Sequence, residues 1–169
     1  MEPTPVVERI GTARLEATPV TLADVATLAS VWNDETVRRV HGLGLEPLPD
    51  EAVRRWLVEP GRAMAWIARQ RATLAPVGVV EMGPVGPDAF ELGIALVASA
   101  RGRGYGRELI AALCRWAFDR RGAAEVVAEM RFDNEAARRA FTACGFVADA
   151  GGGDVVRMWR RSAAHVLPK

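Results

Sequence analysis

The sequence has few of the residues that mark secreted or membrane proteins. It contains only two cysteines, Cys114 and Cys144, and both fall on apolar faces of helical patterns. Two such residues do not make a disulfide framework, so we expect reduced core thiols. No apolar run approaches the ~20 residues that a membrane span needs, and the N-terminus lacks the apolar core of a signal peptide. We therefore predict a cytoplasmic protein with no membrane partner.

An excess of charge of either sign is also missing. Lysine and arginine number 22 against 21 acidic residues, which gives a formal net charge of +1. Such a chain has no general electrostatic field for nucleic acid, so we do not expect a nucleic-acid partner. Its 169 residues are half hydrophobic and one quarter charged, as in one globular domain. We predict a single domain over residues 1–169, with 1–12 as a loose arm because two prolines interrupt that segment.

Hydrophobic periodicity predicts a mixed α/β fold of the α+β type. A first strand near residue 14 precedes helical patterns up to about residue 58, and three strands of a meander follow between residues 63 and 98. Then come a long helix, a strand over 125–130, a helix capped by Asp133 and a glycine-rich hairpin at 151–153. This order predicts a largely antiparallel sheet of about six or seven strands with helices on both faces.

A glycine-rich segment gives the clearest indication of a ligand. Residues 101–106 read Arg-Gly-Arg-Gly-Tyr-Gly, directly after an apolar strand pattern and before a long helical one. A turn that opens a helix directs unpaired backbone N–H groups to one point at the positive end of the helix dipole. Glycine lets an anion approach the backbone closely, since no Cβ intervenes. The segment therefore predicts a site for a phosphate-bearing ligand.

Two sequence signatures in one register carry a family resemblance. The first is Arg-x-x-Gly-x-Gly after the fourth predicted strand, and the second is an Asn-led motif that ends in Gly-Phe. They fall at Arg101, Gly104 and Gly106, and at Asn134, Ala137, Phe141, Gly145 and Phe146. From about residue 13 to 161 the chain resembles the GNAT superfamily of acyl-CoA-dependent N-acetyltransferases. Its opening section is similar to the branch of ribosomal-protein N-terminal acetyltransferases.

The resemblance implies that acetyl-CoA is the acyl donor, without a metal. It implies that the fourth and fifth predicted strands splay apart, and that the coenzyme arm lies along the fourth as a mock strand. The N–H of Leu96 would then polarise the thioester carbonyl, and Asn134 would bind the arm from the other side. The residues expected to contact the coenzyme are Ile94, Ala95, Leu96, Arg101, Gly102, Arg103, Gly104, Tyr105, Gly106, Arg107, Asn134 and Phe141.

The acceptor amine must lose a proton before it attacks, and a carboxylate is the expected base. Glu129, five residues before Asn134, matches the glutamate assigned as base in the ribosomal-protein branch, and Glu91 on the fourth predicted strand is the second candidate. Many relatives have a tyrosine where this chain has Phe141, and a phenyl ring has no proton to donate. Acid assistance to the leaving thiolate is therefore not predicted from this residue.

The acceptor itself is not specified by the sequence. A small-molecule amine and a protein N-terminus both stay open, and its recognition is assigned to residues 33–62 and the last hairpin. Trp32 and Trp56 belong either to the core or to a substrate cleft, and His41 lies nearby. A non-catalytic acyl-CoA-binding module or sensor is the main alternative, and a tRNA-acetylating toxin would require a basic cleft. Apolar positions on the final strand are compatible with a homodimer.

Overall fold

The computed structural model of the protein describes residues 8–44, 46–150 and 152–165. Within these residues the chain forms eight strands and five α-helices. The strands are β1 (Ile10–Gly11), β2 (Leu15–Pro19), β3 (Met64–Gln70), β4 (Pro76–Pro84), β5 (Ala89–Leu96), β6 (Glu125–Arg131), β7 (Val147–Ala148) and β8 (Val155–Arg161). The helices are α1 (Val25–Trp32), α2 (Glu35–His41), α3 (Asp50–Val58), α4 (Tyr105–Arg121) and α5 (Glu135–Ala143).

One sheet contains all of the described strands, in the order β1-β2-β3-β4-β5-β6-β8-β7. Neighbouring strands run antiparallel except β5 and β6, which are parallel. This architecture confirms the predicted mixed, largely antiparallel sheet. The strand count exceeds the prediction because Ile10 and Gly11 pair with β2 and bury the Ile10 side chain. The prediction of a loose arm is wrong at these two residues, and residues 1–7 lie outside the described part.

Helices cover both faces of the sheet, as predicted. Alternation along β3 sends Trp66 to one face and Ile67 to the other, and both side chains are fully buried. Leu109 of α4 and Phe141 of α5 pack with Trp66 in one core, whereas Leu28 of α1 packs with Ile67 in the other. No helix in the described ranges combines the length and apolarity needed to cross a bilayer.

The parallel pair β5–β6 opens a cleft in the middle of the sheet. It is paired only over Ala89–Glu91 and Glu125–Val127, and the two strands diverge beyond these residues. On its other side, β5 stays paired to β4 from Phe90 to Leu96. The strands β5 and β6 are the fourth and fifth predicted strands, so the predicted splay between them is confirmed. One edge of β5 from Leu92 onward faces the opening.

Two local details differ from, or refine, the sequence predictions. Asn134, not Asp133, caps α5: its Oδ1 accepts the Ala137 N–H at 3.2 Å. The predicted cap at Asp133 is wrong because that carboxylate is held by Arg131, with N–O distances of 3.1 and 3.2 Å. The glycine hairpin before β8 includes position 151, which lies outside the described residues.

Candidate active site

The opening between β5 and β6 is a cleft of about 490 Å³. Its walls come from the cleft-facing edge of β5, the start of α4, the α5 helix and the α2 helix. Of the residues predicted to contact the coenzyme, the described lining includes Ile94, Ala95, Leu96, Arg101, Gly102, Gly104, Gly106, Arg107, Asn134 and Phe141. Arg103 and Tyr105 belong to the same loop but lie outside this lining. The fold therefore gathers segments from Thr36 to Ala143, which are far apart in sequence, around one opening.

The glycine-rich loop presents backbone donors to this cleft. Gly102 and Gly104 have φ values of 71° and 80°, the left-handed region that glycine adopts readily. Gly104 is the N-cap of α4, and within the described residues no side chain caps the helix. The N–H groups of Tyr105, Gly106 and Arg107 are therefore not paired inside the helix. These donors, at the positive end of a 17-residue helix, form an anion-binding geometry.

Arg14 of the β1–β2 turn holds the back of this loop. Its guanidinium lies 4.4 Å from the centre of the Tyr105 ring. It also donates to a Glu108 carboxylate oxygen at 2.8 Å and to the Arg103 carbonyl at 3.1 Å. Burial alone would raise the pKa of Glu108, but hydrogen bonds from Thr12 and Arg14 hold that pKa below its ordinary value. Tyr105 is thus a packed ring that supports the loop from behind.

The guanidinium of Arg101, at the wall of the cleft, is bonded to protein groups. Its guanidinium donates to the Leu96 carbonyl, with N–O distances of 2.9 and 3.1 Å, and pairs with Asp34. Burial would raise the pKa of Asp34, but the Arg101 bond and the Val37 N–H hold it below the usual range. Arg101 therefore joins the end of β5 to the start of α2. Arg107 is exposed and lines the cleft.

The edge of β5 offers main-chain donors inside the cleft. The Val97 N–H donates to the Val77 carbonyl at 3.0 Å, which fixes the alternation of the β4–β5 ladder. In an antiparallel ladder, every second residue of a strand forms its backbone hydrogen bonds with the same neighbouring strand. Ala95, two residues before Val97, therefore also bonds to β4. Ile94 and Leu96 consequently direct their N–H groups to the opposite side, toward the opening. The Leu96 carbonyl on that side is already taken by Arg101.

Asn134 and Phe141 form the facing wall. The Oδ1 atom of Asn134 is used in capping α5, which leaves its amide nitrogen as a donor for a ligand. Phe141 is buried and packs edge-on against Phe146, with 4.9 Å between ring centres. Only its rim reaches the cleft, so this residue contributes shape rather than a polar group.

A second cavity, of about 440 Å³, lies on the sheet face covered by α1, α2 and α3. Trp32 and Trp56 form one wall, with their rings edge-on at 4.9 Å. The cavity shares three lining residues with the first cleft, namely His41, Ile94 and Ala95. The two spaces therefore meet at Ile94 and Ala95, next to Leu96, whose N–H the sequence analysis assigned to the thioester carbonyl. Several residues that line the second cavity belong to the segment 33–62, which the sequence analysis assigned to recognition of the acceptor.

Glu81 of β4 is the only carboxylate among the described residues that line the second cavity. Burial raises the pKa of its carboxyl above the ordinary value, and the charge of Arg62 opposes that rise in part. The sequence analysis missed this residue, although an acid inside the apolar strand Val77–Met82 was a usable signal. It pairs across the sheet with Gly93, one residue before Ile94. Its carboxylate therefore lies close to the junction of the two cavities.

The two predicted bases occupy less enclosed positions. Glu129 of β6 has a side chain that is 50% exposed, and it pairs with Arg157 of β8 at 3.7 Å. Glu91 is exposed on β5, opposite Gly83. Neither belongs to the described lining of the two cavities. His41 does belong to it: much of its surface reaches solvent, yet burial of its ring lowers its pKa, against a hydrogen bond to the Ile94 backbone.

The loop that closes the second cavity is held by two side chains. Asn33 accepts the Leu48 N–H at 2.7 Å and donates to the Leu48 carbonyl at 2.9 Å. Arg38 is 9% exposed and donates to Asn33 and to the carbonyls of Gly44 and Glu46. Because Leu43 and Leu48 line the cavity, this network sets the position of its outer wall.

Asn33→Ala is expected to loosen that wall. The variant leaves the N–H and carbonyl of Leu48 without their partner, which costs about 1–3 kcal/mol where they are buried. We expect a melting temperature lower by about 2–12 °C and a several-fold higher KM for the acceptor, with the Kd for acetyl-CoA unchanged. Thermal melting and steady-state kinetics test this, with Thr73→Ala in an exposed turn as the control. An unchanged acceptor KM would mean that the loop does not bound the acceptor site.

Comparison with known proteins gives a consistent assignment. The family model for an acetyltransferase (GNAT) domain matches residues 14–147. The fold is similar to a GNAT-family acetyltransferase from Bacillus anthracis, with a TM-score of 0.78, 15% identity and coverage of 90% of this chain and 96% of that one. None of the curated proteins matches the chain in sequence.

Two further solved structures of similar fold were determined with ligands. One is spermidine N-acetyltransferase from Vibrio cholerae in complex with CoA and spermine, with a TM-score of 0.79, 16% identity and coverage of 92% of this chain and 99% of that one. The other is the ribosomal L7/L12 α-N-protein acetyltransferase in complex with coenzyme A, with a TM-score of 0.75, 20% identity and coverage of 91% and 98%. At these identities the likeness establishes a shared fold.

Proposed function

The chain belongs to the acetyltransferase (GNAT) family, and on this premise we propose that it transfers the acetyl group of acetyl-CoA to a primary amine by direct attack in a ternary complex. The amine belongs to a small molecule or to a protein N-terminus. The observation that carries the proposal is the meeting of two cavities at Ile94 and Ala95. One cavity has an anion-binding helix start, and the other has the half-buried carboxylate of Glu81.

The loop residues would bind the donor. The N–H groups of residues 105–107 would hold the pyrophosphate, with the charge of Arg107 beside them. The Ile94 N–H and the amide nitrogen of Asn134 would bond the two sides of the arm. In this arrangement Arg101 acts as a positioning residue, because it fixes the Leu96 carbonyl and the start of α2. The Leu96 N–H would stabilise the oxyanion that forms on the thioester carbonyl.

We assign the base to Glu81 in preference to Glu129 and Glu91. Glu81 accepts a proton from the acceptor ammonium, directly or through a water molecule, and frees the nitrogen lone pair for attack on the thioester carbon. A raised pKa suits a carboxylate to this task near neutral pH. The C–N bond forms and the C–S bond breaks. The new amide nitrogen then loses its extra proton to solvent, and the thiolate takes a proton from solvent since Phe141 has none to give.

The substitution Phe141→Tyr tests the leaving-group step. A thiolate is a stable leaving group, because thiols ionise not far above neutral pH. Adding a hydroxyl should therefore change kcat by less than about tenfold, below the ~10²–10⁴ that a required general acid contributes. Steady-state kinetics measures the effect on kcat, and calorimetry with acetyl-CoA measures the effect on coenzyme binding. A collapse of coenzyme binding would show that the ring does not lie beside the arm.

A non-catalytic acyl-CoA-binding module is the second candidate, and Phe141 is the observation that favours it. The two functions separate when the protein is mixed with acetyl-CoA and a panel of amines while free thiol and the acetylated product are followed by absorbance and mass spectrometry. Thiol release that requires an amine supports the transferase. Coenzyme binding by calorimetry with no thiol release across the panel would support the binding module.

A further inference from the structure

The second cavity is almost entirely apolar, and this property limits its occupant. Only two of its described lining residues, His41 and Glu81, have ionisable side chains. The rest of the lining is apolar or aromatic and consists of Trp32, Leu43, Leu48, Ala52, Val53, Trp56, Val79, Gly93, Ile94 and Ala95. Burial lowers the pKa of His41, and Glu81 is the only described lining side chain that can carry a negative charge.

The guanidinium of Arg62 further restricts how a cationic ligand can bind in this cavity. The Arg62 guanidinium lies 5.0 Å from the centre of the Trp56 ring, on its face. It also donates to the carbonyls of Leu57 and Ala63, each at 2.9 Å, which hold it in place. A ligand ammonium cannot use the same ring face without meeting this positive charge. The Glu81 carboxylate is therefore the one negatively charged side chain that the described lining offers to a cation.

We infer that the acceptor is a monoamine with a hydrophobic body of aromatic or branched aliphatic character, an inference that rests on the proposed function. Its ammonium is placed at Glu81, beside the junction with the donor cleft, and its body fills the space between the tryptophan pair and the leucines of the loop. A cavity of about 440 Å³ accommodates one such body. A polyamine would bury further ammonium groups without partners, which is strongly unfavourable.

The test compares kcat/KM for the unmodified protein across matched amines at saturating acetyl-CoA. Phenylethylamine and hexylamine represent the inferred class, ethanolamine lacks the body, spermidine adds charges, and a short peptide presents an N-terminus. We expect phenylethylamine or hexylamine to exceed both ethanolamine and spermidine by at least about tenfold. Equal or better turnover of spermidine or of the peptide would overturn the inference while leaving the transferase intact. Absence of thiol release with every amine would instead overturn the proposed function.

A matched pair of variants gives a second, independent reading. Ala52 lines the cavity from α3, so Ala52→Asp adds a carboxylate there, and Ala52→Asn adds the same shape without charge. We expect Ala52→Asp to lower kcat/KM for phenylethylamine by at least about tenfold relative to Ala52→Asn and to raise it for a diamine. Melting temperature and the Kd for acetyl-CoA verify that both variants fold. If the two variants have equal kcat/KM for each amine, the cavity does not hold the acceptor body.

Discussion

Glu81→Gln is expected to lower kcat by about 10²–10⁴-fold, the range that a positioned general base contributes. Glutamine has nearly the same shape as glutamate but cannot accept the ammonium proton. The Kd for acetyl-CoA should stay unchanged, because Glu81 lines the second cavity and is not part of the described lining of the donor cleft. Stopped-flow or steady-state measurement of thiol release, with calorimetry for the donor, separates the two quantities.

The matched controls are Glu129→Gln and Glu91→Gln, since these were the bases predicted from the sequence. Glu129 is half exposed and paired with Arg157, and Glu91 is exposed, so both variants should retain most of the activity. A large loss of kcat in Glu129→Gln with little loss in Glu81→Gln would show that Glu129, the residue predicted from the sequence, is the general base. Equal and small losses in all three would indicate that solvent removes the proton.

The pH dependence provides a further reading of the same residue. The base acts in its charged form, so activity should fall as pH decreases through the pKa of Glu81, which lies above the ordinary carboxyl value. A carboxyl with a raised folded-state pKa binds more protons in the native state than in the unfolded state. Stability associated with it is therefore lost as pH rises from the unfolded pKa through the folded one. Glu81→Gln should remove this loss of stability, so the melting temperature of the variant at neutral pH should equal or exceed that of the unmodified protein.

Local signals were sufficient to predict the glycine-rich turn and the helix start after it from the sequence. The turn at residues 101–106 depends on glycines that adopt left-handed conformations and on a helix that begins directly afterwards, and both are short-range features. The splay of β5 from β6 followed from the family resemblance rather than from the pattern of either strand. The side chain of Arg101 was assigned to the coenzyme, yet its partners are the Leu96 carbonyl and Asp34, which lies 67 residues away.

The second cavity, which we propose as the acceptor side, could not be predicted in the same way, because it forms by long-range packing. Glu81 becomes a cavity residue only when α1 and α3 cover the sheet face on which it lies, and no local pattern specifies that arrangement. Alternation within β6 does not show that Glu129 stands opposite Arg157, since that contact depends on the register with β8. Trp32 and Trp56 were open between core and cleft, and they serve both, packed on each other at the cavity wall.

Gly104→Asp is expected to weaken acetyl-CoA binding by more than tenfold relative to Gly104→Asn. Both substitutes tolerate the left-handed conformation that this position requires, at a φ of 80°. They have nearly the same shape, so their difference isolates the effect of charge. Two charges about 8 Å apart at an effective dielectric of about 20 repel by about 2 kcal/mol, and about 1.4 kcal/mol corresponds to a factor of ten in Kd. Calorimetric titration of both variants with acetyl-CoA provides the comparison.

The neighbouring arginines would act in the same direction as this repulsion. A Cβ at position 104 would lie 3.5 Å from a guanidinium nitrogen of Arg14 and 3.7 Å from one of Arg107. An aspartate there would draw Arg107 to itself and remove its charge from the ligand, whereas asparagine would not. Because surface charges are screened over about 10 Å in 0.1 M salt, the difference in Kd between the two variants should shrink as salt is added. Equal weakening by both at low salt would mean that the start of α4 does not bind an anion, and the donor half of the proposed site would then fail independently of Glu81.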